Sequence, residues 1–207
     1  MEIIPQSYDA HLQEFERSAH IRGRRQYEEL YRRSIENPDE FWAEHARKYL
    51  EWDKAWYFVH RWNQDEMRDE WFGGGMLNAS YNCLDRNLGR LKNKVAYYWE
   101  GDDLSDLRSL SYGELYDRVV RFAAVLKSRG VAKGDRVILY LPVLPELPVA
   151  MLACARIGAI HCAVHTGFSS EVVAHRIQAI GATVVVTADG IFTRGRKIGR
   201  ASCRERV

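Results

Sequence analysis

The spacing of apolar residues changes character near residue 94, and the two halves predict different architectures. In the first half, 26–34 sets Tyr27, Leu30 and Tyr31 on one face and predicts a short amphipathic helix. Asn37-Pro38-Asp39-Glu40 reads as a helix start. Its asparagine can accept from free amides, its proline suits the first helical position, and its two acids meet the positive end of the dipole. The helix that follows, over 38–50, carries Phe41, Trp42, His45 and Tyr49. Further helices are expected over 9–18 and over 78–88, the latter ending near Gly89. Trp71-Phe72-Gly73-Gly74-Gly75 lacks the GxxxxGK[ST] spacing of a phosphate loop and reads as a tight connection.

In the second half, 95–99 and 108–110 alternate around a polar loop and predict an antiparallel hairpin. Ser111 and Glu114 form a capping box, and the helix it opens places Leu115, Val119, Phe122, Ala123 and Leu126 at helical spacing up to Gly130. Then comes 136–168, RVILYLPVLPELPVAMLACARIGAIHCAVHTGF. It predicts a buried strand over 136–141, a proline-rich break at Pro142, Pro145 and Pro148, and a helix reaching Ile157. Gly158 ends that helix, and a second buried strand is expected over 159–164. Ser169 can cap a helix expected to about Ala179 with Glu171 in its first turn, Gly181 stops it, and 183–187 is expected as a third strand. His175 and Arg176 on this helix read as surface residues.

Strands joined through helices run parallel with right-handed crossovers. The expected fold class is therefore α/β with a doubly wound parallel sheet, preceded by a mostly helical, Trp-rich extension. Ligands of such sheets bind beyond the carboxyl ends of the strands, which selects the turn His165-Thr166-Gly167-Phe168.

Composition narrows the partners. A net charge of +2 on 207 residues argues against a nucleic-acid or membrane partner, and no apolar run approaches the ~18 residues of a membrane span. Trp42, Trp52, Trp56, Trp62 and Trp71 crowd one segment. A stacking platform for nucleic acid or sugar needs a basic groove or polar rim, so packing of an irregular segment onto a larger neighbour is the preferred reading. Cys83, Cys154, Cys162 and Cys203 show neither CxxC pairing nor metal-ligand spacing, which fits a reducing cytoplasm. No GxGxxG follows a strand, which disfavours a dinucleotide-binding oxidoreductase.

The runs NASYNCLDRNL, GDRVILYLPVLPELPVAMLACARIGAIHCAVHTGFSSE and VVVTADG closely resemble AMP-forming acetyl-coenzyme A synthetases, and YEELYRRSIENPDEFWAEHA resembles that family's N-terminal extension. The resemblance covers about 19–197. It implies a ligase that uses ATP with Mg²⁺ to make an acyl-adenylate and then transfers the acyl group to coenzyme A. Small molecules (acetate or another short carboxylate, ATP, coenzyme A) are the implied partners. The related alternatives are a propionyl-CoA or similar short-chain synthetase and a non-catalytic module that binds coenzyme A or a partner.

The resemblance also assigns residues. The family's turn after the second parallel strand reads Phe-Gly-Gly-Phe and lies along coenzyme A; Gly167 and Phe168 match it, whereas His165 and Thr166 depart. Its Arg-x-Gly-Arg/Lys pattern, which holds the nucleotide phosphate of coenzyme A, falls on Thr193-Arg194-Gly195-Arg196. Gly195 and Arg196 match, Thr193 replaces the first arginine, and Arg194 can serve from the next position. Guanidinium groups bind phosphate through paired hydrogen bonds, and glycine lets the backbone approach.

The domain expectation is an extension over 1–88, the start of an AMP-binding domain over 89–197, and a non-native tail over 198–207. The tail's IGRASCRERV departs from the family and back-translates to a string resembling a sequencing adapter. The chain is expected to be an N-terminal fragment without catalytic residues and inactive alone, because the family's phosphate loop, acyl pocket and catalytic lysine have no counterpart in it.

Overall fold

A computed structural model describes residues 14–15, 17–103, 105–193 and 196–199. The chain divides into two compact units between Met76 and Leu77. No described helix is long and apolar enough to cross a membrane.

In the first unit, helices α1 (Gly23–Glu36) and α2 (Pro38–Tyr49) meet at Asn37. α1 is longer than its apolar spacing predicts and buries no residue, while Tyr27 and Tyr31 stack on its surface with ring centroids 6.1 Å apart. Pro38 does occupy the first turn of α2, but the Asn37 side chain makes no capping bond, since its backbone already closes α1 by donating to the Arg33 carbonyl at 2.9 Å. The expected helix over 9–18 lies largely outside the described residues; 14–15 and 17–18 are helical.

The Trp-rich segment contains an antiparallel hairpin that the sequence reading missed, β1 (Phe58–Asn63) and β2 (Arg68–Gly73). Asn63 makes its turn, with Oδ1 accepting from the amides of Asp65 at 3.1 Å and Glu66 at 3.2 Å. The segment is thus not irregular, and its aromatic residues pack on one another only in part: Trp52 lies 4.8 Å from Trp56 and 5.5 Å from Phe72, whereas Trp42, Trp62 and Trp71 stay 43%, 53% and 47% exposed. The glycine run serves the same packing. A Cβ at Gly73, Gly74 or Gly75 would run into the ring of Phe58, Tyr57 or Trp52 respectively, and Gly74 also takes φ +76°.

The second unit opens with three short pieces in place of the one helix expected over 78–88. They are α3 (Ala79–Cys83), a 3₁₀ turn (Asp85–Asn87) and α4 (Leu88–Leu91), so Gly89 lies inside a helix and does not end one. Asparagine side chains explain the breaks by competing for backbone groups: Asn82 donates to the Asn78 carbonyl at 3.1 Å, and Asn87 to the Cys83 carbonyl at 3.0 Å. The hairpin β3 (Val95–Glu100)/β4 (Leu107–Ser111) follows, then α5 (Tyr112–Ser128) with its capping box formed as read.

The parallel sheet has the order β6–β5–β7, from strands β5 (Arg136–Tyr140), β6 (Ile160–Ala163) and β7 (Val184–Thr187). Helix α6 (Glu146–Ile157) joins β5 to β6, and α7 (Ser170–Ile180) joins β6 to β7. The two crossovers run in opposite directions across β5. Under the right-handed rule for parallel strands, connections in opposite directions put their helices on opposite faces, the doubly wound arrangement. Val137 and Leu139 enter one core with α5 and α6, while the alternate residue Ile138 is equally buried on the other face. The expected second buried strand needs correction: β6 is an edge strand, with Ile160 56% exposed, because only its β5 side is paired among the described residues.

Two devices tie the start of this unit to α6. Asn78 accepts from the Tyr81 amide at 3.1 Å and donates to the Arg156 carbonyl at 3.0 Å, so one side chain caps the start of α3 and the end of α6. Arg156 and Asp85 form a bidentate pair at 2.7 and 2.8 Å.

Candidate functional site

The parallel strands end at Tyr140, Ala163 and Thr187, and two loops leave from the outer two. After β5 the proline-rich break is pinned from the side by the first hairpin of this unit. Tyr97 Oη donates to the Pro145 carbonyl at 2.8 Å and Trp99 Nε1 to the Val143 carbonyl at 2.7 Å. These bonds fasten the backbone of the break to the hairpin β3/β4.

The turn after β6 satisfies its own polar groups. The Phe168 amide donates to the His165 carbonyl at 3.1 Å, and the Gly167 amide donates to His165 Nδ1 at 3.0 Å. Nδ1 can accept only when it carries no proton, so this bond sets the imidazole tautomer. Tyr140, at the end of the central strand, reaches across with its hydroxyl to the Thr166 carbonyl at 3.0 Å and the Phe168 carbonyl at 3.3 Å. With two of its amides committed internally, the turn offers side chains to a ligand. Phe168 is 43% exposed; the His165 ring stands nearly perpendicular to it with centroids 6.2 Å apart, and the Arg176 guanidinium lies 5.4 Å from its centroid. A Cβ at Gly167 would sit 3.0 Å from His165 Nδ1, so the glycine admits the imidazole.

After β7 the chain forms a second feature the sequence reading missed, the hairpin β8 (Gly190–Thr193)/β9 (Arg196–Gly199). Thr193 pairs with Arg196, which opens β9, while Arg194 and Gly195 lie outside the described residues. The turn and the hairpin leave the same end of the sheet from strands on either side of β5, two strand spacings or roughly 10 Å apart.

Comparison with known proteins agrees with this arrangement. Residues 84–206 match the AMP-binding enzyme family, and residues 27–83 match the acetyl-coenzyme A synthetase N-terminus. The first match covers more than half of the chain. This chain belongs to the AMP-binding enzyme family. It is 50% identical over 172 residues to acetyl-coenzyme A synthetase 2 of Pseudomonas aeruginosa, covering 83% of this chain and 27% of that protein. It is 49% identical over 181 residues to the acetyl-coenzyme A synthetase of Saccharophagus degradans, covering 87% and 28%. Among solved structures, the acetoacetyl-CoA synthetase from Streptomyces lividans superposes with a TM-score of 0.76 at 27% identity, over 84% of this chain and 27% of that one. The chain thus spans about a quarter of the length of the relatives it matches, 27% of the first.

The AMP-binding match takes in the sheet, the turn and the hairpin alike. Two contributors to the site escaped the sequence reading. Tyr140 was counted only as strand, although a tyrosine closing a buried strand carries a hydroxyl that must find a partner. Arg176 was read as a surface residue, whereas it is half-buried over Phe168. Among the described residues no group of three or more His, Cys, Asp or Glu is placed to hold a metal ion.

Proposed function

We propose that this chain is the N-terminal part of a cytoplasmic AMP-forming acetate–CoA ligase. Acetate attacks the α-phosphorus of ATP, with Mg²⁺ accompanying the nucleotide, to give acetyl-adenylate and pyrophosphate. The thiol of coenzyme A then attacks the acetyl carbon, and AMP leaves. The carboxylate pocket, the adenylate contacts and the catalytic groups are assigned to the portion of the relatives' length that this chain does not span.

In this reading the chain contributes one edge of the coenzyme A site. Gly167 and Phe168 lie along the ligand, and Arg194, Gly195 and Arg196 receive its nucleotide phosphate. The observation that carries the proposal is the shared outlet: an exposed phenylalanine on a braced turn and an arginine-bearing hairpin leave the same end of one parallel sheet.

Arg196→Ala in the complete ligase tests it. Losing a charged hydrogen bond of about 1.5–3 kcal/mol raises KM for coenzyme A by roughly 10- to 150-fold, while acetate-dependent exchange of pyrophosphate into ATP is unaffected. An unchanged KM for coenzyme A removes the hairpin from the site.

A further inference from the structure

Nothing in the sheet requires a hydroxyl at residue 140. The position ends β5, and a phenylalanine there would pair with Thr187 through the same backbone groups. The single proton of the Tyr140 hydroxyl is shared by two carbonyls of the turn, Thr166 at 3.0 Å and Phe168 at 3.3 Å. It therefore fixes the backbone on both sides of Gly167. From the other direction Arg176, on α7, lays its guanidinium over the Phe168 ring with 5.4 Å to the centroid. No carboxylate forms an ion pair with Arg176 among the described residues, and its facing partner is the ring. One residue thus holds the main chain of Phe168 and the other its side chain.

An aromatic ring that is 43% exposed on a turn would otherwise exchange rotamers, and a ligand would have to order it on binding. Restraining it beforehand removes that cost from the binding step. We propose that Tyr140 and Arg176 are positioning residues that pre-order Phe168 for coenzyme A. This rests on the reading of the turn as a coenzyme A contact. Neither residue touches the acetyl group or ATP in this scheme, so both act on the second half-reaction and leave the first alone.

The test uses the complete ligase and its two half-reactions. Tyr140→Phe deletes only the hydroxyl, Arg176→Gln removes the cation, and Arg176→Lys restores a cation without the planar fork. Tyr140→Phe is expected to raise KM for coenzyme A about fivefold, and Arg176→Gln about threefold. Arg176→Lys should recover part of the loss. Acetate-dependent pyrophosphate exchange stays at the parent rate in all three, which a general loss of folded protein would not allow. Unchanged KM for coenzyme A in both Tyr140→Phe and Arg176→Gln overturns the inference, as does an equal fall of both half-reactions. If the parent itself shows no acetate-dependent exchange, the functional reading fails and the inference falls with it. If the parent is active but its Phe168→Ala variant keeps its KM for coenzyme A, the turn is not a contact and the positioning role is refuted separately.

Discussion

Replacing Asp85 by asparagine isolates the contact that joins the 3₁₀ turn to the helix between β5 and β6. Arg156 meets both carboxylate oxygens, at 2.7 and 2.8 Å, and its guanidinium also lies 5.2 Å from the Tyr116 ring centroid. The hydrogen-bonded Asp85 carboxylate holds the Arg156 guanidinium above its ordinary pKa. The side chains of Arg156 and Asp85 are 26% and 17% exposed, so the pair is neither a surface bridge nor a sealed one. Exposed pairs contribute about 0–1 kcal/mol, and breaking a fully buried pair costs about 3–5 kcal/mol. A bidentate, mostly covered pair falls between, and Asp85→Asn is expected to cost about 2–3 kcal/mol. Arg156→Met keeps the stem's packing and loses the charge. The double variant should cost less than the sum of the singles by about 1 kcal/mol or more, because it leaves no unpaired charge. Urea unfolding midpoints at constant slope measure all four corners of the cycle. Single effects below about 0.5 kcal/mol that simply add would refute the view that this pair anchors the turn to the helix.

Two further outcomes follow from protonation. Ser111→Ala should destabilise the chain by about 1 kcal/mol by uncapping α5. In the parent, hydrogen bonds from the Ser111 amide and hydroxyl lower the Glu114 pKa below its ordinary 4.5. That contribution is present above the unfolded value and is lost as pH falls through the folded one. The parent should therefore lose stability on acidification in a way Ser111→Ala and Glu114→Gln do not, which thermal unfolding between pH 6 and 3 reads directly. Burial raises the Cys154 thiol from 9.0 to about 11, so between those values only the unfolded chain ionises it and stability falls as pH rises through the window. At pH 8 Cys154 should resist alkylation in the folded protein while the exposed Cys83 reacts, and equal labelling would contradict the packing around α6.

From α5 to β7 the second unit was legible because those elements carry their own local signals. Ser111 and Glu114 announce α5, Gly158 and Gly181 end their helices in the left-handed conformation, and the run from Arg136 is apolar because β5 is buried on both faces. The first unit was harder to read. Its hairpin strands, FVHRWN and RDEWFG, group apolar and polar residues instead of alternating them, and Asn63 makes the turn without a glycine. The Gly73-Gly74-Gly75 run looks like flexibility in sequence, yet it is demanded by three aromatic rings lying against the backbone. The helix read over 78–88 failed because the Asn82 and Asn87 side chains bind backbone carbonyls four or five residues back, a local competition that the apolar spacing does not register.

Periodicity and caps alone determined that this chain contains a right-handed strand–helix–strand unit and a turn at its carboxyl end, since both follow from interactions within a few residues. Resemblance to the family, and not periodicity, singled out Gly167 and Phe168 within that turn. What surrounds those two residues was decided by tertiary structure. Tyr140 lies 26 residues from Thr166 and Arg176 comes from the following helix, and neither contact has a sequence spacing that local rules can register. The edge position of β6 is likewise a property of strand order, which a single strand's composition does not carry. Local chemistry selects elements, while the order in which they pair selects which side chains meet.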